Sequence, residues 1–257
     1  MHMLYHRKCN DEESWVANLV ADDLTWPGYT HMTIKTDNEA ALNALVVKAI
    51  EKVRARSSDK VDVASKIDEA QVIATEHPAP YESQSNGATE VGVRIVRGLF
   101  RTLKLCLEDR IGAYIPPSHP VIAWLLEYTT MILNIKSKGQ DGLTSWRRAR
   151  GKDFHQMILG FCEVVLHKLP SKGPQSAPDG NMGARWHGGG LFLGDCRIRN
   201  VHIIGTDNGI VFTRSLMRRP VINRWNRDKV ASLNDTQWAE TRQPSTNLKF
   251  HKAEHEQ

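Results

Sequence analysis

The sequence predicts an α/β protein in which a mixed sheet with flanking helices is followed by a small β-barrel-like domain. Two patterns predict this order. Short β-type runs alternate with amphipathic helical patterns up to about residue 135, and from Phe161 onward short apolar runs are separated by Gly, Asn and Asp. Alternating strands and helices are typical of α/β folds, while short, punctuated runs are typical of small antiparallel barrels.

The first part of the chain carries three predicted strands and two predicted helices. Apolar residues recur at helical spacing in both helices, for example Ala41, Leu45 and Ala49 in the second. Pro27-Gly28 ends the first helix. The predicted strands are 1–7, 31–36 and 71–75, and the predicted helices are 13–24 and 38–56.

Two longer helices are predicted next, over 85–113 and 120–135. Apolar residues step by four through the first of them, from Val91 to Ile111, and Pro116-Pro117 breaks it. Pro120 suits the first turn of the second helix, because proline lacks the N–H that is unpaired at that position.

Short apolar runs at 164–166, 191–193, 201–204 and 210–212 predict the strands of the second domain. The intervening segment 171–190 is rich in Pro, Gly and Ser and predicts a flexible loop, with Gly188, Gly189 and Gly190 as a turn or bulge. Residues 231–257 lose apolar periodicity and predict a disordered tail. The predicted domains are therefore 1–152 and 153–230, followed by the tail.

Composition indicates an intracellular globular protein. Apolar residues make up 40% of the 257 residues and charged residues 25%, and the net charge is +5. No apolar run approaches the ~20 residues that span a bilayer, and no signal peptide is apparent. The four cysteines have no CxxC spacing, which favours reduced thiols and predicts no zinc site. We therefore expect a nuclear or cytoplasmic protein that is not secreted and has no membrane partner.

Two carboxylates stand where metal-dependent chemistry is commonly built. Asp37 directly follows the strand predicted over 31–36, and Glu90 lies near the start of a long helix, just after Asn86-Gly87. Carboxylates from a strand end and a helix start can converge on hard divalent cations. Taken alone, Asp37 is better explained as a helix N-cap and Glu90 as a first-turn acid favoured by the helix dipole.

Together with their neighbours, these two acids resemble the catalytic core of retroviral and retrotransposon integrases, most closely the copia-like kind. The matching motifs are Asp37-Asn38-Glu39 and Gln84-Ser85-Asn86-Gly87-Ala88-Thr89-Glu90. The resemblance implies a ribonuclease-H-like fold and DNA integration by polynucleotidyl transfer. It also implies that Asp37 and Glu90 are catalytic and hold two Mg²⁺ (or Mn²⁺) ions.

The family's active site contains a further Asp upstream of the position matched by Asp37. We therefore expect an N-terminally truncated integrase core from a transposable element, inactive as this chain alone. Two departures from the family pattern are visible. The gap between Asp37 and Glu90 is long, with the excess in 54–70, and Val91 stands where a basic residue is common.

Basic residues on the long helix are the predicted DNA contacts. Residues at spacings of three and four share one helix face. In the family, basic residues one and two turns beyond the catalytic Glu contact phosphates, and Arg94 and Arg97 occupy those places. The full predicted nucleic-acid-binding set is Asn86, Arg94, Arg97, Arg101, Lys104, Arg147 and Arg148. The alternative is an ordinary solvated face with weak Glu–Arg pairs.

The expected partner is therefore DNA, and a homo-oligomer is left open. Two rival interpretations use the same residues differently. In one, the protein is a domesticated nucleic-acid-binding module that uses the basic residues and not the acids. In the other, it is a remnant of an element without a selected function, or a scaffold bound by protein partners.

Overall fold

The computed structural model describes residues 15–29, 31–36, 39–58, 72–76, 87–169, 186–196 and 200–237. The described residues fall into two compact units, one within 2–95 and 138–153 and the other within 96–137 and 154–257. The strand predicted over 1–7 lies outside the described residues. In the described ranges, no helix combines the length and the apolar character needed to cross a bilayer.

The first unit contains a β–α–β element with parallel strands. β1 (His31–Lys35) pairs with β2 (Val72–Glu76), in register from His31 opposite Val72 to Lys35 opposite Glu76. The connection includes the helix α2 (Ala40–Ser58), because neighbouring parallel strands require a long crossover. These three elements lie within two residues of their predicted positions, so the α/β prediction is confirmed here.

The helix α1 (Trp15–Thr25) packs against α2. Val16 and Ala17 are buried in one cluster with Leu45 of α2. At the other end of α1, Asp22 Oδ1 accepts a hydrogen bond of 2.6 Å from Arg56 Nη1. Helices and a two-stranded parallel sheet are compatible with many α/β folds. The finer ribonuclease-H-like assignment therefore stays a prediction.

The helix α3 (Gly87–Ile111) buries a different face from the predicted one. Val91 and Ile95 are 43% and 51% exposed, whereas Val96 and Leu107 are buried. The expectation that apolar residues stepping by four share one face is wrong in the first half of the helix. A step of four residues overshoots a 3.6-residue turn by about 40°, so the predicted row winds off the core.

The second unit contains a five-stranded antiparallel sheet with the strand order β6-β5-β4-β3-β7. The described strands form an open sheet, so the predicted barrel-like domain is present without a closed barrel. The prediction missed the short strand β7. The strands are β3 (Val164–Lys168), β4 (Trp186–Cys196), β5 (Val201–Thr206), β6 (Gly209–Thr213) and β7 (Leu216–Arg218).

The sheet is strongly curled, because only two residues connect its outer strands. β6 ends at Thr213 and β7 begins at Leu216, so the link spans at most about 11 Å. Five strands laid flat would place the outer two about 19 Å apart. Hydrogen bonds join the approaching ends: Thr213 Oγ1 donates to Lys168 O over 3.0 Å, and Lys168 N donates to Ser215 O over 3.0 Å.

A bulge at the glycine run contributes to this curl. Val165 and His167 on β3 are two residues apart, but their partners on β4, Gly190 and His187, are three apart. The extra residue lies beside Gly189, whose φ of 89° suits glycine. The predicted bulge is therefore confirmed. The predicted loop over 171–190 extends too far, since β4 begins at Trp186, and residues 171–185 lie outside the described part of the chain.

The core of the second unit is shared by the sheet and the helices that pack on it. The helix α4 (Val121–Lys136) packs along β4, and its Leu125 is fully buried in the same cluster as Phe192 and Ile204. Tyr128 connects α4 to the segment before β3, because its hydroxyl donates a hydrogen bond of 2.6 Å to Leu159 O. The sheet therefore uses α4 as one wall of its core.

The chain remains packed beyond residue 231, where the tail was predicted to begin. The helix α6 (Arg227–Ala231) buries Val230, and Leu233 after it is 3% exposed. Trp124 Nε1 on α4 donates a hydrogen bond of 2.8 Å to Asp235 O. The segment 231–237 is thus attached to the core through Leu233 and the Trp124 hydrogen bond, and 238–257 lie outside the described residues.

Candidate nucleic-acid interface

Glu90 lies exposed in the first turn of α3. An acid is favourable there, because the unpaired N–H groups of a helix start carry partial positive charge. Its predicted catalytic partner Asp37 and the predicted DNA contact Asn86 lie outside the described residues. The structure therefore leaves the distance between the two acids open, and the metal pair stays a prediction.

The predicted stripe on α3 is a geometric feature of the helix. At 100° per residue, its six positions fall within a sector of about 80°. They extend along about 27 Å of the helix axis, at 1.5 Å per residue. They are Glu90, Arg94, Arg97, Arg101, Lys104 and Glu108.

Three members of the stripe are cations available to a ligand. Arg94, Arg97 and Arg101 are exposed, and none of them forms an ion pair within the part of the chain that the structure describes. They follow one another by three and four residues, which places the outer two about 10 Å apart along the axis. A row of this kind presents positive charge to one side of α3.

Lys104 differs from the three arginines. Its Nζ contacts Glu108 Oε1 and lies 4.5 Å from the centroid of the Tyr114 ring. Glu108 Oε1 also accepts a hydrogen bond of 2.7 Å from Ile115 N, in the loop after α3. The Lys104 side chain is 17% exposed. It therefore packs against the loop after α3, and its charge is largely neutralised by Glu108.

Arg147 and Arg148 lie on the short helix α5 (Ser145–Arg150) in the first unit. Arg148 donates two hydrogen bonds to Asp141, from Nε over 2.8 Å and from Nη2 over 2.6 Å. These bonds hold the pKa of Asp141 well below its usual range. Arg147 pairs with Asp153 over 3.3 Å. Their predicted contact with DNA stays a prediction, and it requires phosphate to compete with these carboxylates.

No metal site is assembled within the described residues. In those ranges, no three His, Cys, Asp or Glu side chains come together in a way that could hold an ion. Mg²⁺ requires about six oxygen ligands, several of which are usually water or substrate oxygens.

Sequence reasoning missed a buried carboxylate in the second unit. The Glu163 side chain is 1% exposed and accepts hydrogen bonds from Arg218 Nε over 2.7 Å and Nη2 over 2.8 Å. Gly160 N also donates to Glu163, and Arg224 lies 3.4 Å away. Burial raises the pKa of Glu163, but these donors and charges outweigh it and lower the pKa overall. Arg218 and Arg224 therefore anchor β7 and the following turn to β3.

The structure also pairs Asp195 on β4 with His202 opposite it on β5. His202 Nδ1 and Asp195 Oδ1 are 2.5 Å apart, and both side chains are largely buried. A carboxylate beside an imidazole orients it, as in catalytic triads. Thr213 lies across from His202, but its hydroxyl donates to backbone carbonyls. The pair thus joins two strands, and no spacing in the sequence indicated it.

Comparison with known proteins gives distant likenesses among solved structures alone. No family model and no curated protein matches the chain. Among the matching solved structures is a simian T-cell lymphotropic virus intasome in complex with PP2A regulatory subunit B56 gamma, with 13% identity and a TM-score of 0.34. The match covers 84% of this chain and 66% of that chain, which is just under two thirds of its length.

Proposed function

We propose that this protein is an integrase-related DNA-binding protein and that α3 holds the phosphate backbone of DNA. The observation that carries this is the row of Arg94, Arg97 and Arg101, exposed on one side of α3 and without carboxylate partners in the described part of the chain. A row of arginines could bind any polyanion. We propose DNA because integrase-like motifs precede the row, around Asp37 and Glu90.

The physical basis is the release of counterions. Each phosphate neutralised by an arginine frees a condensed cation. The logarithm of the binding constant therefore falls linearly with the logarithm of the salt concentration, with a slope of about 0.9 per phosphate contact. Contacts of this kind fix position and carry no sequence information. α3 accordingly binds unrelated DNA sequences with similar affinity.

The double variant Arg94→Ala/Arg97→Ala is expected to bind DNA more weakly. Two phosphate contacts are removed, so the slope of log K against log salt should fall by about 1.8. Fluorescence anisotropy with two duplexes of unrelated sequence, each titrated between low and moderate salt, measures both affinity and slope. The loss should be the same for both duplexes.

The matched control is Lys48→Ala/Arg54→Ala, which removes the same charge from exposed positions on α2. This control variant should leave the salt slope unchanged, because charges that do not contact phosphate act on DNA only through long-range attraction. An equal slope change in both double variants would contradict a specific role of the stripe. An unchanged slope in the Arg94/Arg97 variant would leave the stripe a solvated face.

The finer proposal is polynucleotidyl transfer, with Asp37 and Glu90 as the residues that hold Mg²⁺ or Mn²⁺. When bound, such ions activate the attacking hydroxyl and stabilise the leaving oxygen. The proposal rests on the integrase-like motifs and on the exposed position of Glu90 at the start of α3, next to the proposed phosphate contacts.

Glu90→Gln is expected to abolish most Mn²⁺ binding by the full chain, because an amide oxygen is a much weaker ligand than a carboxylate for a hard cation. Paramagnetic broadening or calorimetric titration with Mn²⁺ measures it. Glu51→Gln on α2 removes an exposed carboxylate elsewhere and serves as the control. Equal Mn²⁺ binding by the wild type and both variants would rule out the metal site and leave DNA binding untouched.

A further inference from the structure

The turn that follows β7 presents the two most exposed large apolar side chains of the described residues. Val221 is 70% exposed and Ile222 is 88% exposed, and they stand next to each other in a 3₁₀ turn, Val221–Asn223. Single exposed apolar residues are common on protein surfaces. Two adjacent β-branched side chains at the tip of one turn form a protrusion, and we refer to Pro220, Val221 and Ile222 as the apolar tip.

The backbone below the apolar tip is held in place. Asn223 N donates to Pro220 O over 2.9 Å, and Arg224 N donates to Val221 O over 3.3 Å. Arg224 Nε donates to Arg219 O over 2.9 Å, which closes the base of the turn. The tip is therefore presented by a fixed turn, and little ordering is needed before it engages a ligand.

The base of the turn is tied to the core of the second unit. Val164 N donates to Arg224 O over 2.7 Å, and Arg224 also lies beside the buried carboxylate of Glu163. The next residue, Trp225, packs under the guanidinium of Arg110, 4.4 Å from the ring centroid. Gly160 leaves room for the Trp225 ring, since a side-chain carbon there would lie 2.7 Å from it.

Positive charge surrounds the apolar tip. The segment 214–229 carries five arginines and one lysine against one aspartate, a net charge of +5 that equals the net charge of the whole chain. Two of these arginines are engaged by Glu163. Arg214 and Arg219 form no ion pair within the described ranges. A surface of this sign fits a polyanion.

We propose that the apolar tip is a wedge that enters the minor groove of duplex DNA and unstacks a base step, with Arg219 on the adjacent phosphates. Apolar wedges of the Ile and Pro kind, rimmed by arginine, kink duplexes by opening a base step from the minor groove. The inference rests on the proposed DNA binding and deepens it, because it adds a second contact that deforms the duplex.

The wedge has a distinct energetic signature from the stripe on α3. Ile222 carries no charge, so its removal leaves the number of neutralised phosphates and the salt slope unchanged. It does remove the group that fills the opened base step. Flexible pyrimidine–purine steps are the preferred sites of such opening, because they are the easiest to unstack.

The test uses the full chain and a duplex with 2-aminopurine at a central TA step, labelled at both ends for energy transfer. The wild type should raise 2-aminopurine fluorescence and shorten the end-to-end distance. Ile222→Ala should lose both changes with an unchanged salt slope, and Ile222→Leu should retain them. Arg219→Ala should reduce the slope by about 0.9.

Val47→Ala is the matched control, since Val47 is a β-branched residue 53% exposed on α2. It should behave as the wild type. Ile222→Ala is itself expected to fold normally, because exposed substitutions change stability by less than about 0.5 kcal/mol. Circular dichroism confirms this before the DNA measurements.

Three results would overturn the wedge. DNA bound without any Ile222-dependent distortion would remove the wedge and leave the binding by α3 intact. Absence of any DNA binding at low salt would remove both proposals. Ile222-dependent binding to phosphatidylserine vesicles, with no effect of Ile222 on DNA, would assign the tip to an anionic membrane surface.

Discussion

Replacing Glu163 with alanine is expected to lower the free energy of unfolding by about 3–5 kcal/mol, the range measured when one partner of a buried ion pair is removed. The side chain is 1% exposed and receives two hydrogen bonds from Arg218 and one from Gly160 N. Its loss leaves Arg218 and Arg224 next to each other without their shared carboxylate. The strand β7 and the turn after it then keep only their backbone hydrogen bonds to β3 and lose the side-chain contacts beside them.

The effect should be visible in thermal unfolding. For a chain of this size, 1 kcal/mol shifts the melting temperature by about 2–4 °C, so the variant should melt roughly 10 °C lower. Asp153→Ala is the control, because its pair with Arg147 is exposed and should contribute less than about 1 kcal/mol. Equal shifts in the two variants would contradict a special role of the buried carboxylate.

The contribution of Glu163 should also depend on pH with a defined sign. Its pKa is lower in the folded protein than the ordinary value of 4.5. The stability it supplies is therefore complete above about pH 4.5 and is lost as the pH falls through the lowered pKa. The difference between wild type and Glu163→Ala should be large at pH 7 and should shrink in strong acid. A difference that stays constant with pH would show that the side chain acts by packing alone.

Residues 153–230 expressed alone are expected to be far less stable than a fragment that keeps α4. Trp124, Leu125, Tyr128 and Met131 of α4 are buried in the same cluster as the sheet. Burying each such side chain stabilises a protein by about 1.5–3 kcal/mol. Four of them contribute on the order of 6–12 kcal/mol, which is comparable to the whole stability of a typical domain.

The comparison fragment is 96–237, which retains α4, the second half of α3 and Leu233. Urea unfolding followed by tryptophan fluorescence should show a cooperative transition for 96–237 and none for 153–230. Cooperative unfolding of both fragments with similar midpoints would show that the sheet folds independently. The same measurement tests the domain boundaries predicted at 152 and 230.

The sequence by itself determined the local elements of this protein. Helical periodicity and proline breaks placed α1, α2, α3 and α4 within two residues at every end. Alternation and glycine punctuation placed β1, β2 and every described strand of the second sheet except β7. These signals are local, because the periods of 3.6 and 2 are properties of neighbouring residues along the chain. The glycine run was predicted as a turn or bulge, and a bulge is observed.

The sequence also identified the row of arginines on α3, since residues three and four apart share a helix face wherever the helix lies. Only the tertiary structure decided which of its cations stay free. Lys104 lies on the same helix face as Arg101, and its ammonium group contacts Glu108, one turn further along α3. It also packs over the ring of Tyr114, which lies in the loop beyond the helix. Spacing along a helix does not reveal what packs beside it.

The tertiary structure likewise decided which arginines of the second unit form ion pairs and which residues of α3 are buried. Arg218 is 55 positions from Glu163 in the chain and binds it because β7 pairs with β3. Val91 and Ile95 fit the apolar pattern of α3 but lie exposed, while Val96 is buried. Burial and ion pairing depend on which elements meet in space. Sequence periodicity therefore predicts the elements, and the packing of distant elements decides which faces are buried and which charged groups remain available for binding.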